Sequence, residues 1–442
     1  MVPFRSPFVI ALLVLGSAHV PAQEWSCLGA GLNGSVLALV EHDGEVVAGG
    51  SFTEAGGEAA LNIASWDGEH WAPLGSGLNG EVHALAVYNG DLIAGGSFTL
   101  AGSTPVEHIA RWDGTDWHDL GGGLDGLVTS LAVHEGRLIA GGTFLFSGSF
   151  DLLRYVGAWD GSTWAAFGTG LSGPGPSVNA LLSHNGDLVV GGIFTTAGGL
   201  DAHNVARWDG SVWSSFADGI DGTVSALVEY NDQVVAGGYF TAADDVLKWE
   251  GSGWSPVSED LTGYVSTLIV HGGSLYCGGV ILTAGGMPAS GLAACNLSVA
   301  VWTPAAEITA LGTPVVNALC VNDGGMVVGG DMTAVDGVPV QHIARWEPWT
   351  GIPGSGTGLD LSAYPNPFSS TVAIVFTLPG TNEGTVELRD AAGRLVMAPV
   401  GGFRGAGPHR FQWEAAGMAQ GMYTVRVRAG ASDRLARLAL VR

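Results

Sequence analysis

An apolar run ending in two glycines recurs seven times, at Gly49-Gly50, Gly95-Gly96, Gly141-Gly142, Gly191-Gly192, Gly237-Gly238, Gly278-Gly279 and Gly329-Gly330. The steps between successive pairs are 46, 46, 50, 46, 41 and 51 residues. Units of this length with strand-like content stack as blades of a β-propeller, because one unit alone cannot bury its apolar face. In the second unit, Val82 to Val87 alternates and reads as strand a. Tyr88-Asn89-Gly90-Asp91 reads as a tight turn, since Asn and Gly tolerate positive φ. Leu92 to Gly96 follows as strand b, Ile109 to Trp112 as c and Trp117 to Leu120 as d. The tryptophans suit the wedge between blades toward the rim. Trp25 to Gly29 reads as a strand d with nothing before it, and the seventh unit supplies a, b and c only. A seven-bladed ring closed by the N-terminal strand is therefore expected, leaving no open edge.

The charge is uneven. The net charge is −25, with 13% of residues charged. Residues up to Asp360 carry −29 and those from Leu361 onward +4. Such an acidic body is a poor partner for nucleic acid or anionic lipid, and the shift marks a second domain. Arg5 followed by Phe8 to Leu15 and by Val20-Pro21-Ala22 has the layout of a signal peptide, so residues 1–22 are expected to be removed on export. No later apolar run is long enough to span a bilayer. The expected organisation is all-β: a propeller over 23–350, a Gly/Ser linker over 351–360, and a small Ig-like β-sandwich over 361–442. The tail strands are Val372 to Phe376, Thr385 to Arg389, His409 to Trp413, Tyr423 to Val427 and Leu435 to Val441.

These motifs carry two resemblances. The units read L-I-A-G-G-x-F-T, then I-A-R-W-D-G, then W-x-x-L-G-x-G-L. This resembles kelch-type repeats, and more closely the Gly-rich repeats of bacterial exported propellers and of fungal Rax2-like cortical markers. The resemblance implies a fold and a binding scaffold, with no fixed activity. It departs in unit six, where Trp302 is followed by Thr303-Pro304 and no second Trp. The tail is similar to the type A sorting domain of the type IX secretion system. The matching residues are Tyr364, Pro365, Asn366, Pro367 and Phe368, then Leu388-Arg389-Asp390 with Gly393-Arg394, then Gly421-Met422-Tyr423. That resemblance implies contact with secretion machinery and a place outside a Gram-negative cell. A flagellar-hook-cap type Ig-like domain, or a plain Ig-like spacer, shares part of the pattern.

Few residues point to chemistry. Four G-x-G-x-x-G stretches recur per blade and precede strands, so they are turns and not dinucleotide loops. The Asp of each Trp-Asp-Gly bonds its own turn. His42, His134, His184 and His271 share their repeat slot with Tyr88 and Tyr230, which favours turn packing over metal ligation. No cofactor or metal is expected. Four cysteines lie in an exported chain, and Cys277 with Cys295, the latter placed in a b–c insertion spanning Met287 to Asn296, is the candidate disulfide. Cys27 and Cys320 fall on outer and inner strands of one blade, too far apart to bond.

Repeat slots explain scaffold residues, so departures from them are where a ligand site is expected. These fall on the face carrying the b–c and d–a loops. Unit three has Phe146, Phe150, Leu152, Leu153 and Tyr155 where its neighbours have Gly, Ala and Glu, and Asp151, Asp244 and Asp245 lie on the same face. The expected function is an exported binding module for an unknown surface ligand, protein or glycan. The alternatives are a glycan lyase or glycosidase, which needs carboxylates or a Tyr/His/Arg group converging near the axis, and a structural surface protein.

Overall fold

The computed structural model describes residues 24–241, 244–296, 301–347, 360–364, 371–378, 384–391, 393–403, 407–414, 418–430 and 432–440. The expected signal peptide, almost all of the linker, and Pro365, Asn366, Pro367 and Phe368 lie outside them. The chain divides into two compact units, residues 23–350 and 351–440.

In the first unit the chain runs six times through four antiparallel strands, and a last pass of three is completed by the N-terminal strand. Strands a are Val36–His42, Val82–Tyr88, Val128–His134, Ser177–His184, Gly222–Tyr230, Leu261–His271 and Val315–Asn322. Strands b are Glu45–Gly50, Asp91–Gly96, Arg137–Gly142, Asp187–Ile193, Gln233–Phe240, Ser274–Ala284 and Gly325–Asp331. Each strand a packs on the strands a of both neighbours, and the last touches the first, so the sheets form a closed ring of seven blades around an axis. The outermost strand of the last blade is Glu24–Cys27, which pairs with Ile343–Glu347 so that Trp25 faces Trp346. Cys27 and Cys320 therefore sit on the outermost and innermost strands of one sheet.

The paired glycines have a steric cause. A Cβ on Gly49 would lie 2.5 Å from Val82 Cγ1 of the next blade, and one on Gly95 would overlap Val128 Cγ1. The same glycine-to-valine contact repeats around the ring and ends with Gly329 against Val36. The second glycine meets its own blade: a Cβ on Gly96 would overlap the Glu81 carbonyl. There strand a carries one extra residue, a β-bulge between Val82 and Ala84, and every blade has its counterpart. The phenylalanine that follows is fully buried in blades one to four, as Phe52, Phe98, Phe144 and Phe194. It anchors a b–c loop that doubles back as a minimal hairpin in blades one, two and four.

Farther out, the Trp pairs are cross-strand neighbours. Trp66 and Trp71, for example, have ring centroids 5.5 Å apart. In blades one to four the second Trp also donates its indole N–H to the preceding blade: Trp71 to Leu28 O at 2.8 Å, Trp117 to Leu74 O at 3.0 Å, Trp164 to Leu120 O at 3.0 Å and Trp213 to Phe167 O at 2.8 Å. The corresponding Nε1 atoms of Trp254, Trp302 and Trp25 are buried without a partner.

Near the axis the residue before each a–b turn reaches the next blade. His42 donates to Gly90 O at 2.9 Å, His184 to Glu229 Oε2 at 2.8 Å and Tyr230 to Gly273 O at 2.7 Å, while His134 Nδ1 lies 2.8 Å from Ser183 Oγ. The histidines in this slot thus join blades.

Unit six corrects the sequence reading. Its strand c is Leu292–Asn296 and its strand d Val301–Pro304, with Cys295 opposite Trp302. Trp302 is therefore the strand-d tryptophan, and Cys295 stands where the other blades place the strand-c tryptophan. Residues 292–296 are not insertion. Without Trp-Asp-Gly after it, the strand had no visible marker.

The second unit has two sheets. One holds Asp360–Tyr364, Thr371–Leu378 and Gly407–Glu414; the other holds Leu395–Phe403, Gly384–Asp390, Gly421–Ala429 and Ser432–Leu440. Val372, Ile374, Phe376, Trp413, Val386, Leu388, Tyr423, Val425 and Leu438 form a common core. Two strands, Asp360–Tyr364 and Leu395–Phe403, were not anticipated. In the turn Asp390 accepts the Arg394 N–H at 2.9 Å, and Gly393 adopts φ 77.

Two predictions follow from the joints between blades. Gly95→Ala is expected to destabilise the propeller by about 1–3 kcal/mol through overpacking. Val128→Ala in the same chain should restore part of that loss, a coupling of about 1 kcal/mol in denaturant melts. Strictly additive effects would remove the steric account. The second prediction concerns pH. Burial pushes His134, His83 and His271 below the ordinary histidine value of 6.5. Below 6.5 the unfolded chain takes up protons that the folded one resists, so stability is flat above that pH and falls as pH drops below it. For His134 the neighbouring Glu135 and Asp187 oppose the shift and Arg137 adds to it. Asp244 and Asp245, raised by burial, act in the opposite sense above 3.8. His134→Gln should flatten the melting-temperature profile between pH 7 and 5; an unchanged slope would assign the dependence elsewhere.

Candidate functional site

The two faces of the ring differ in chemistry. On the face of the a–b and c–d turns, each Trp-Asp-Gly carboxylate is consumed by its own turn. Asp67 accepts the Glu69 and His70 N–H groups, Asp113 those of Thr115 and Asp116, and Asp160 those of Ser162 and Thr163. These bonds hold the carboxyls below the ordinary range, Asp160 at about 2. The opposite face carries the b–c and d–a loops, clamped together in the first blades: Asn33 accepts from Thr53 and Glu54, Asn79 from Thr99 and Leu100, and Asp125 from Leu145 and Phe146. Among the described propeller residues, every exposed large hydrophobic side chain except Val133 and Val212 lies on this second face.

The b–c loop of blade three holds the densest part of that apolar surface. Phe150 is 86% exposed at φ 66, and Leu145, Phe146 and Leu152 are exposed beside it, with Phe146 bridged to Leu152. Two residues expected here belong to the interior instead. Leu153 is fully buried. Tyr155 takes the slot before strand c held elsewhere by Asn62, His108, Asn204 and His342, all with φ near +60, and packs on the apolar cluster between blades three and four. Asp151 is exposed and accepts the Ser147 hydroxyl at 3.1 Å.

The acids do not gather. Asp245 is buried and spends both oxygens on the Phe240 and Gly263 N–H groups, at 3.1 and 3.0 Å, so it shapes the shortened b–c loop of blade five. Asp244 is half-buried, and desolvation followed by Glu259 and Asp260 pushes its carboxyl up. Both stand two blades from Asp151. Among the described residues no group of His, Cys, Asp and Glu is arranged to hold a metal.

The expected Cys277–Cys295 bridge is not formed, and all four cysteines are free. Cys277 faces Ala293 and Cys295 faces Leu275, a diagonal offset that separates Cα atoms by about 7–8 Å, beyond disulfide reach. Burial pushes all three interior thiols up, Cys295 to about 12 and Cys320 to about 11, which keeps them unreactive. Of the sorting motif only Tyr364 is described, at the end of its strand opposite Ala373.

One feature was missed. The extra residue of each a-strand bulge is Leu37, His83, Thr129, Asn179, Ser225, Ser266 or Asn317, all half-buried at the innermost edge of the ring. Thr129, Asn179 and Asn317 donate to the carbonyls of Val178, Val224 and Val36 in the following blade, which point to the open inner edge of strand a. The signal was present as V-x-[A/S/T]-L, with x polar in six of seven units. His83 and Ser225 behave differently: His83 Nε2 lies 3.3 Å from Glu81 Oε2, and Ser225 Oγ 2.9 Å from the Tyr264 hydroxyl.

No curated protein matches the chain. A solved structure of a mutant of the GH43 protein BlXynB from Bacillus licheniformis is 10% identical, with 94% of this chain and 88% of that one covered at a TM-score of 0.23. Dimeric latent PorU from Porphyromonas gingivalis is 12% identical, with 96% of this chain but 34% of that one covered, at a TM-score of 0.18. Neither likeness bears on fold or function at such scores. No helix among the described residues is long and apolar enough to cross a membrane. Two family models do match, one in each unit. Residues 22–181 match the Rax2 C-terminal beta propeller domain, and residues 362–440 match the secretion system C-terminal sorting domain, which marks a protein secreted from, or held at the outer surface of, a Gram-negative cell.

Proposed function

We propose that the propeller is a binding module displayed outside the cell, engaging its partner through the face of the b–c and d–a loops around blades three to six. The observation that supports this is the one-sided distribution of exposed apolar side chains, densest at Leu145, Phe146, Phe150 and Leu152. Contiguous apolar surface held on a rigid scaffold is what a partner surface requires, and the aromatic residues in such a patch carry most of the affinity. The acids that give residues 1–360 their charge of −29 favour a neutral or cationic partner. Asp151 in blade three and Asp244 in blade five supply polar contacts along this arc, while Tyr155 and Asp245 hold its loops in shape.

Two tests address this reading. Removing residues 361–442 should leave the propeller folded but retained in the periplasm of a host with the cognate secretion system; surface delivery of the shortened chain would reduce the tail to a spacer. Phe150→Ala with Leu152→Ala should weaken capture of the cognate surface partner about tenfold at unchanged melting temperature. Retained capture by that variant, with loss on Val212→Asp, would place the partner on the opposite face.

A further inference from the structure

Three of the seven bulge side chains have a scaffold role, donating to inner-edge carbonyls of the following blade. His83 turns instead to Glu81, and Ser225 to Tyr264. Glu81 and Tyr264 share a repeat position, the residue before the strand-a valine, where other blades have Ser35, Leu127, Ser177, Thr223 and Val315. That position lies at the b–c/d–a end of strand a. Both pairs therefore sit at the mouth of the axis on one face, from blade two on one side and blades five and six on the other. Their side chains are accessible: His83 is 26% and Glu81 53% exposed, and Tyr264 is 38% exposed.

We propose that this axial mouth binds a neutral carbohydrate, with Tyr264 as a stacking platform and Glu81, His83 and Ser225 as hydrogen-bonding partners of its hydroxyl groups. It rests on the reading that this face binds, and it names a ligand class for the axis. The imidazole is kept neutral, since desolvation outweighs the Glu81 charge. Its Nε2 lies 3.3 Å from Glu81 Oε2, and a neutral imidazole has one ring nitrogen that donates and one that accepts. Glu81 accepts, and the Ser225–Tyr264 hydroxyl pair retains one donor after its mutual bond. Mixed donors and acceptors beside an exposed aromatic ring complement a sugar, whose hydroxyls each donate and accept and whose C–H face is apolar. A single carboxylate is too few for a hard cation, and in so acidic a body it disfavours an anion.

The test is calorimetric titration of the full secreted chain with cellohexaose, xylohexaose, mannohexaose and hexagalacturonate. At least one neutral hexamer should bind at millimolar concentration or below, and hexagalacturonate at least tenfold more weakly. His83→Gln and Tyr264→Leu should each weaken the neutral sugar about tenfold. Tyr264→Phe, which keeps the ring, should lose less than threefold, so a folding defect and a lost platform are told apart. Glu81→Gln should narrow the gap to hexagalacturonate. No binding of any neutral hexamer at 10 mM (about ten times the weakest Kd expected here), or binding that survives both His83→Gln and Tyr264→Leu, would overturn the inference. The docking test on Phe150 and Leu152 reads a different part of the face, so its outcome stands apart.

Discussion

The valine of one blade seated against the bare Cα of the preceding blade's first glycine is the contact on which the ring depends. Strands a and b of neighbouring blades can approach this closely only where no Cβ intervenes. The second glycine has a related cause, because the bulge of strand a brings a carbonyl onto its Cα. The bulge in turn sets one extra, half-buried side chain per blade at the innermost edge of the ring. Packing at the joint, curvature of the inner strand and chemistry of the axis therefore share one origin. Seven glycine–valine contacts in a closed cycle give every joint of the ring the same close packing at its inner end.

Around this constant contact the secondary fastenings vary. Blades one to four add an indole bond from each strand-d tryptophan to the blade before it, and blades five to seven do not. Blade five has a shortened b–c loop held by Asp245, and blade six replaces a tryptophan with Cys295. The Rax2 match covers residues 22–181, and so falls on the regular side of the ring. The irregular side spends buried indole N–H groups without partners, a cost of about 1–3 kcal/mol each.

Much of the architecture could be read from the chain, because a propeller repeats its constraints. The Gly-Gly marker, the Asn89-Gly90 turn and the Trp25 strand are each local patterns with one geometric outcome. Strand c of blade six escaped notice because its marker tryptophan is a cysteine, so Cys295 was assigned to a loop and paired with Cys277. The candidate face was legible as a departure from the repeat, but the fate of each residue was not. Tyr155 and Phe150 look alike in sequence, yet one fills a joint between blades and the other stands in solvent. The same holds for Asp245 against Asp151. The axial ring was overlooked because one polar residue in an apolar strand looks like noise until the bulge gives it a position.

Closure by Glu24–Cys27 sets an order of events in time. The first strand of the propeller to leave the ribosome is the last to find its place, since its partner ends at residue 347. No intermediate can complete the ring, and the largest loop in the fold closes at the end. A chain interrupted short of the seventh blade leaves Glu24–Cys27 without its partner strand and two apolar blade faces bare, which favours its capture by chaperones or proteases. The ring thus closes only when the two ends of the propeller meet, Glu24–Cys27 against Ile343–Glu347.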